Sequence, residues 1–456
     1  MITTILAFIV TLGVLVIVHE YGHYRVALAC GVKVLRFSVG FGRVLWRRQA
    51  SPDSTEFVVG ALPLGGYVRM LDEREAPVKS DERHLAFNNK SLAKRTAIVA
   101  AGPIANLLLA VLLYACANWI GIDEPRALLG SPTAGSLAER AGVNAGEWAR
   151  EASIDGNEWH ELRSMSDLRW DITQAVLRGE PLHLMLTDAA GRGTHRVVLP
   201  LDTLGSKEID AQLMRRIGLG QTYSEPLLGD IAPGGPAAKA GLRSGDRVLS
   251  IDDKTIPDRA RMIEIIRAAG AQGEPAAMTW RVERGGQTLE LIVRPKSVVD
   301  GDKRIGRIEA VVGQPPQMVL VRYGPIEGLT QAASRTWDMS TLTLKMLGKM
   351  LIGEASLKNL SGPLTIADYA GQSVRLGLAY YLGFLAVVSV SLGVLNLLPL
   401  PMLDGGHLMY YLFEAVTGRP VSQRWLERLQ RGGVAIMLLM MSLALYNDVA
   451  RLLGLH

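Results

Sequence analysis

Only two cysteines, Cys30 and Cys116, occur in 456 residues, so no disulfide framework can staple this chain. Both lie in or beside apolar stretches, where a free thiol packs as a small hydrophobe. Charge is missing from residues 1–18, and no lysine or arginine precedes Arg25. A cleavable secretory leader wants a basic start and a small-residue cleavage site, so this run reads as a retained membrane helix. The net charge of +5 is not gathered on a soluble domain, which excludes a nucleic-acid partner.

What is abundant is long uncharged sequence at the two ends. Residues 96–122 and 376–403 are further uncharged runs, and 432–446 is a shorter one. About 20 apolar residues cross a bilayer, so the first three qualify directly and the fourth is the weakest. Thirteen lysines and arginines, from Arg25 to Arg95, lie before the second run, and Arg419, Arg424, Arg428 and Arg431 lie before the last. Basic short loops stay cytoplasmic. The insert of about 123–375 is then expected on the other side, with both termini beside it.

That insert contains a repeat. Ala138-Glu139-Arg140-Ala141-Gly142-Val143-Asn144-Ala145-Gly146-Glu147 aligns with Ala237-Ala238-Lys239-Ala240-Gly241-Leu242-Arg243-Ser244-Gly245-Asp246. Each copy reads as a short helix ended by glycine, a tight turn, and a strand leading to an aspartate turn at Asp155 or Asp252. The pattern resembles the core of PDZ domains of bacterial proteases. The first copy is the looser one, with Trp148-Ala149-Arg150-Glu151 where Arg247-Val248-Leu249-Ser250 stands in the second. Such domains bind extended peptide along a sheet edge, and two steric gates are an equal reading of the same pattern. From Gly324 to Gly371 the chain is amphipathic and broken by Gly353, Gly362 and Pro363. It is expected to lie on the outer membrane face or to serve as a plain helical connector.

The sharpest motif is His19-Glu20-Tyr21-Gly22-His23, which continues the first apolar helix. Histidines four apart share a helix face, and that spacing lets both imidazoles hold one Zn²⁺. Glu20, between them, is placed to act as general base on the attacking water. Ionisable groups are costly within a membrane segment and mark function there. Zinc catalysis wants a third protein ligand, and the late segment Asn396-Leu397-Leu398-Pro399-Leu400-Pro401-Met402-Leu403-Asp404-Gly405-Gly406-His407 offers one. Pro399 and Pro401 break the helix and let Asp404 turn inward, with His407 as a rival ligand. The segment Gly102-Pro103-Ile104-Ala105-Asn106 supplies small residues for close packing beside the metal helix.

The pair of motifs, H-E-x-x-H early and N-x-x-P-x-P-x-L-D-G-G late, resembles the site-2 protease family of intramembrane zinc metalloproteases, over essentially the whole chain. The resemblance implies zinc bound by His19, His23 and Asp404, with Glu20 as acid/base and Asn396 holding substrate near the metal. It also implies a membrane-reentrant β-structure over Glu56–Met70, which reads as two short strands around a turn-rich middle. An unwound transmembrane substrate must regain backbone hydrogen bonds. One strand edge, around Gly65, Gly66 and Tyr67, is expected to supply them, and a surface hairpin is the alternative.

The expected fold is a polytopic α-helical membrane protein with four transmembrane helices, a membrane-associated β-hairpin and two tandem PDZ-like α+β domains. The first span with its metal motif takes 1–30, the cytoplasmic reentrant β region 31–95, and the second span 96–122. The PDZ-like domains take 127–221 and 222–310, the connector 322–375, the third span 376–406, and the fourth 430–453. The resemblance implies the bacterial inner membrane as location, and as substrates a membrane-spanning anti-sigma factor already cut outside, or remnant signal peptides. A transporter and a catalytically inert scaffold are the rival readings. The absence of an inverted hydropathy repeat speaks against the first, and Glu20 against the second.

Overall fold

The computed structural model describes residues 2–204, 212–220, 222–271, 275–300, 303–352 and 362–452. Gly353 of the connector and residue 453 of the last expected span lie outside them. The chain divides into two compact units: Met1–Ile122 with Arg322–His456, and Asp123–Val321.

The first unit contains α1 (Ile2–Ala29), β1 (Val34–Arg48), β2 (Glu56–Met70), α2 (Leu92–Ile120), α3 (Pro325–Leu351), α4 (Pro363–Leu376), α5 (Leu378–Asn396), α6 (Asp404–Thr417) and α7 (Gln423–Leu452). Among the described residues, four helices are long and apolar enough to cross a membrane: α1, α2, α5, and residues Arg424–Ala450 of α7. At 1.5 Å per residue even α5, with 19 residues, rises about 28 Å, close to the thickness of a hydrocarbon core. This is a membrane protein that also carries separate β-sheets.

Helix α5 stops at Asn396 because Pro399 and Pro401 follow, each without an N–H to donate and each disfavouring helix in the residue before it. The chain turns and starts again as α6 at Asp404. The connector resolves into two helices. Helix α3 packs into the bundle: Ala332 shares a buried cluster with Ala110, Leu113 and Tyr114 of α2 and with Leu385 and Val390 of α5. Its start is pinned by Asn118 Nδ2 donating to Gly328 O at 2.9 Å and Trp119 Nε1 donating to Pro325 O at 3.0 Å.

Strands β1 and β2 are long and bent. Residues 66–70 of β2 lie along residues 34–39 of β1, whose other side pairs with residues 56–59. Residues 57–60 pair in turn with 44–48. The two halves of Glu56–Met70 therefore sit on opposite sides of the start of β1, which is why the segment reads as two short strands. Residues 66–70 form one outer edge.

The second unit holds two four-stranded sheets of the same order. In the first, Trp148–Ser153 lies between His160–Glu161 and Leu182–Thr187, with His195–Leu199 beyond. In the second, Arg247–Ile251 lies between Lys254–Thr255 and Met278–Arg284, with Gln287–Val293 beyond. Each sheet packs one helix, Met165–Arg178 or Arg259–Ala269, over its own core. The looser sequence copy keeps the topology of the other because the buried positions remain apolar, with Ala149 and Ala152 standing where Val248 and Ile251 do.

Candidate metal centre

Helix α1 presents His19 and His23 one turn apart toward α2, each only 9% exposed. The helices approach closely there, and a Cβ at Gly102 of α2 would land on the His23 ring. Asp404, as the first residue of α6, reaches the same point from the other end of the sequence. His19 Nε2 lies 3.2 Å from His23 Nε2 and 3.2 Å from Asp404 Oδ2, and His23 Nε2 lies 3.6 Å from the same oxygen. Among the described residues this is the one cluster of three such groups that could hold a metal ion.

The donor set can be tested by its own hydrogen bonds. His23 Nδ1 is 2.8 Å from the Ile98 carbonyl, which can only accept, so that nitrogen carries the proton. In the neutral ring Nε2 is then a bare lone pair, facing another imidazole nitrogen and a carboxylate oxygen. Such a convergence calls for a cation at its centre. Two histidines and a carboxylate are a set that Zn²⁺ takes, with room for a further oxygen. The residues fit the metal.

A cavity of about 480 Å³ opens beside the cluster. His19, Glu20, His23, Asp404 and His407 line it, together with Gly66 and Tyr67 of β2. Glu20 thus lines the same cavity as the two histidines and Asp404. The β2 backbone runs against it so closely that a Cβ on Gly66 would meet Glu20 Cγ and the Val16 side chain. Of the residues expected to bind substrate, Gly66 and Tyr67 line the cavity, whereas Gly65 packs on the Phe41 ring and Asn396 closes α5, both outside the lining. His407 faces the cavity and stacks edge-on against Tyr410 at 5.9 Å, outside the three-residue cluster. Asp72, Arg74, Arg95 and Glu414 add charged groups to the lining.

Sequence reasoning missed Asn106. It is fully buried on α2, 3.2 Å from His19 Nδ1. The available signal was a carboxamide in the middle of an uncharged run, which is costly in lipid unless it has a task.

Four helices fit to cross a membrane, with a two-histidine, one-carboxylate cluster at the end of the first, define a membrane metalloprotease. The family model described as Peptidase family M50 matches residues 7–440, and the chain belongs to that family. Its relatives span its full length. The "Putative zinc metalloprotease" of Ralstonia nicotianae is 41% identical over 466 residues, covering 99% of each chain. The "Regulator of sigma-E protease RseP" of Escherichia coli is 38% identical over 468 residues, covering 98% of each. A "Putative zinc metalloprotease" of Neisseria meningitidis is 41% identical over 465 residues, covering 99% of this chain and 100% of its own. The protein is a zinc metalloprotease of the site-2 type.

Proposed function

We propose that His19, His23 and Asp404 hold the zinc, that Glu20 is the acid/base, and that the enzyme cuts transmembrane segments of substrates already trimmed outside the membrane. The observation carrying this is the convergence of three donor atoms, all within 4.8 Å of one another, from residues 19, 23 and 404 beside Glu20. When bound, zinc polarises the scissile carbonyl and eases deprotonation of water. Glu20 takes the proton from the attacking water and delivers it to the leaving amine. Its carboxylate is held in the cavity between α1 and β2, beside the space a peptide must enter.

A peptide bond in a membrane helix has its N–H and C=O engaged, so the substrate must unwind and be given new partners. Residues 66–70 of β2 pair with β1 and form an outer edge of the sheet, and Gly66, Tyr67 and Val68 among them line the cavity. It is the strand to which unwound substrate adds. Asn396, where α5 ends, contacts the substrate as it approaches, and Gly65 permits the bend into the edge.

Relatives named for regulating sigma-E support a membrane-spanning anti-sigma factor as substrate in envelope-stress signalling, with remnant signal peptides as a second group. The basic loops support placement in the bacterial inner membrane with the insert and both termini periplasmic. The two sheets of the insert are PDZ-like domains that admit only trimmed substrates. Deleting residues 127–309 should then permit cleavage of full-length substrate, and continued dependence on prior trimming would remove the gating role.

The direct test is cleavage of a model transmembrane substrate in detergent, with zinc content measured alongside. Glu20→Gln should keep its zinc and lose at least about 10²-fold to 10⁴-fold in rate, the usual worth of a general base. Asp404→Asn should lose the zinc itself. Cleavage by Glu20→Gln at the wild-type rate would refute the assignment.

A further inference from the structure

The two histidines of α1 are met on α2 by a stripe at matching spacing. Ile98, Gly102 and Asn106 recur every four residues, so they lie on one face. Ile98 O takes the Nδ1 proton of His23, Gly102 leaves space for that ring, and Asn106 stands at His19 Nδ1. Asn106 is itself anchored, since Ser389 Oγ of α5 donates to its backbone carbonyl at 2.7 Å.

If His19 binds zinc through Nε2, a neutral ring must carry its proton on Nδ1, and that proton needs an acceptor. Among the described residues its hydrogen-bond neighbour is the Asn106 carboxamide, which lies with Nδ2 toward the ring while its buried Oδ1 has no hydrogen-bond partner. The two ends of a carboxamide exchange by a half-turn about its last bond. That turn brings Oδ1 to the ring and gives the oxygen its missing donor. We propose that Asn106 is a positioning residue for the zinc site: its Oδ1 accepts the His19 Nδ1 proton and so fixes the ring with Nε2 toward the metal. Each zinc-binding imidazole would then be fixed by α2, one through a backbone oxygen and one through a side-chain oxygen. Outer partners of this kind typically change metal affinity about 10-fold to 100-fold.

This inference rests on the assignment of His19 as a ligand, so its test includes His19→Ala. The readout is zinc retained by the purified full-length protein against a graded chelator, independent of proteolysis. Asn106→Leu removes the acceptor at similar volume and should lose zinc at a chelator concentration about 10-fold to 100-fold lower than wild type does. Asn106→Asp, which can only accept, should hold zinc as wild type does.

Wild-type retention by Asn106→Leu, with zinc lost from His19→Ala, overturns the role of Asn106 alone. Equal loss from the Leu and Asp variants also overturns it, because packing would then explain both. Full zinc retention by His19→Ala overturns the ligand assignment as well. Should Asn106→Leu fail to fold, ¹⁵N spectra of zinc-loaded wild type decide. The proposal predicts a protonated Nδ1 on His19, identified by its loss in His19→Ala, and a bare Nδ1 overturns it.

Discussion

The membrane bundle and the insert differ in what their buried polar groups hold together. In the insert several of them close local turns: Ser164 Oγ accepts from Asp167 N, Ser153 Oγ donates to Asp155, and Asp246 accepts from Arg243 N. In the bundle they tie together helices far apart in sequence. Thr11 meets Tyr381, Ser389 meets the Asn106 carbonyl, and Asp448 accepts from Gly362, Leu364 and Thr365. Lipid offers no water to satisfy a stray group, so a polar atom in a span must find its partner within the protein, on its own helix or on another. The insert has long ties as well: Asp258 accepts from both Ser131 N and Ser131 Oγ, Ser224 Oγ donates to Gln314 O, and Arg284 donates to Asp246. The difference teaches where a small substitution reaches the chemistry and where it costs only a turn.

Two glycines break or sharpen the contrast most. Gly102→Ala pushes a methyl group into the His23 ring, and the ring has no slack because Ile98 O holds its other side. A displacement of about 1 Å can cost on the order of 10² in rate, so turnover should fall about that far while the protein still folds. Gly142→Ala in the first repeat meets nothing within 4 Å and pays only for its φ of 88°. Its cost should be about 1–2 kcal/mol of local stability with no change in turnover. Substrate-cleavage rates of both variants check the pair, and equal activity would erase the distinction.

Next in size are two helix caps. Asp448 accepts from the amides of Gly362, Leu364 and Thr365 at the start of α4 and from the Thr365 hydroxyl. Asp448→Ala orphans that whole helix start, and a loss of about 3 kcal/mol is expected from several buried donors left without acceptors. Ser164→Ala removes one cap from the helix Met165–Arg178 and should cost about 1 kcal/mol. Hydrogen exchange in detergent, followed over each helix, measures both. A larger effect from Ser164 would reverse the comparison.

The same contrast explains what could be read from residues alone. Hydropathy located the long helices, because a span must be apolar along its length. The spacing of His19 and His23 located two of the cluster's three residues, because helix periodicity is local. The repeat was legible through Gly142 and Gly241, whose positive φ values of 88° and 79° end matching helices. Asn106 was not legible as a partner of His19, because its task depends on which face of α2 meets α1. Nor was the partner of β2, since the pairing of residues 66–70 with 34–39 spans some thirty residues. The docking of α3 escaped for a similar reason: an amphipathic pattern says that one side is covered without saying by what.

The smallest effect separates the two repeats by pH. The first carries His160, His183 and His195, while residues 222–310 contain no histidine. A hydrogen bond from His160 to Asp171 at 2.8 Å raises the His160 pKa above its ordinary value. Its contribution is full below the unfolded value of about 6.5 and fades as pH rises through the raised one. Burial, with Arg196 beside it, lowers the His183 pKa. Its contribution is full above about 6.5 and fades as pH falls through the lowered one. Together His160 and His183 give the first repeat a shallow stability maximum near pH 6.5. Asp246, held below the usual carboxylate range in spite of burial by Arg284 and the Arg243 amide, makes the second repeat lose stability only in acid, below about pH 4. Hydrogen exchange of Leu182–Thr187 and Met278–Arg284 between pH 5 and 8, corrected for intrinsic rates, should show the dome in the first strand alone. His160→Gln should flatten its alkaline side, and a dome unchanged in that variant would assign the pH dependence elsewhere.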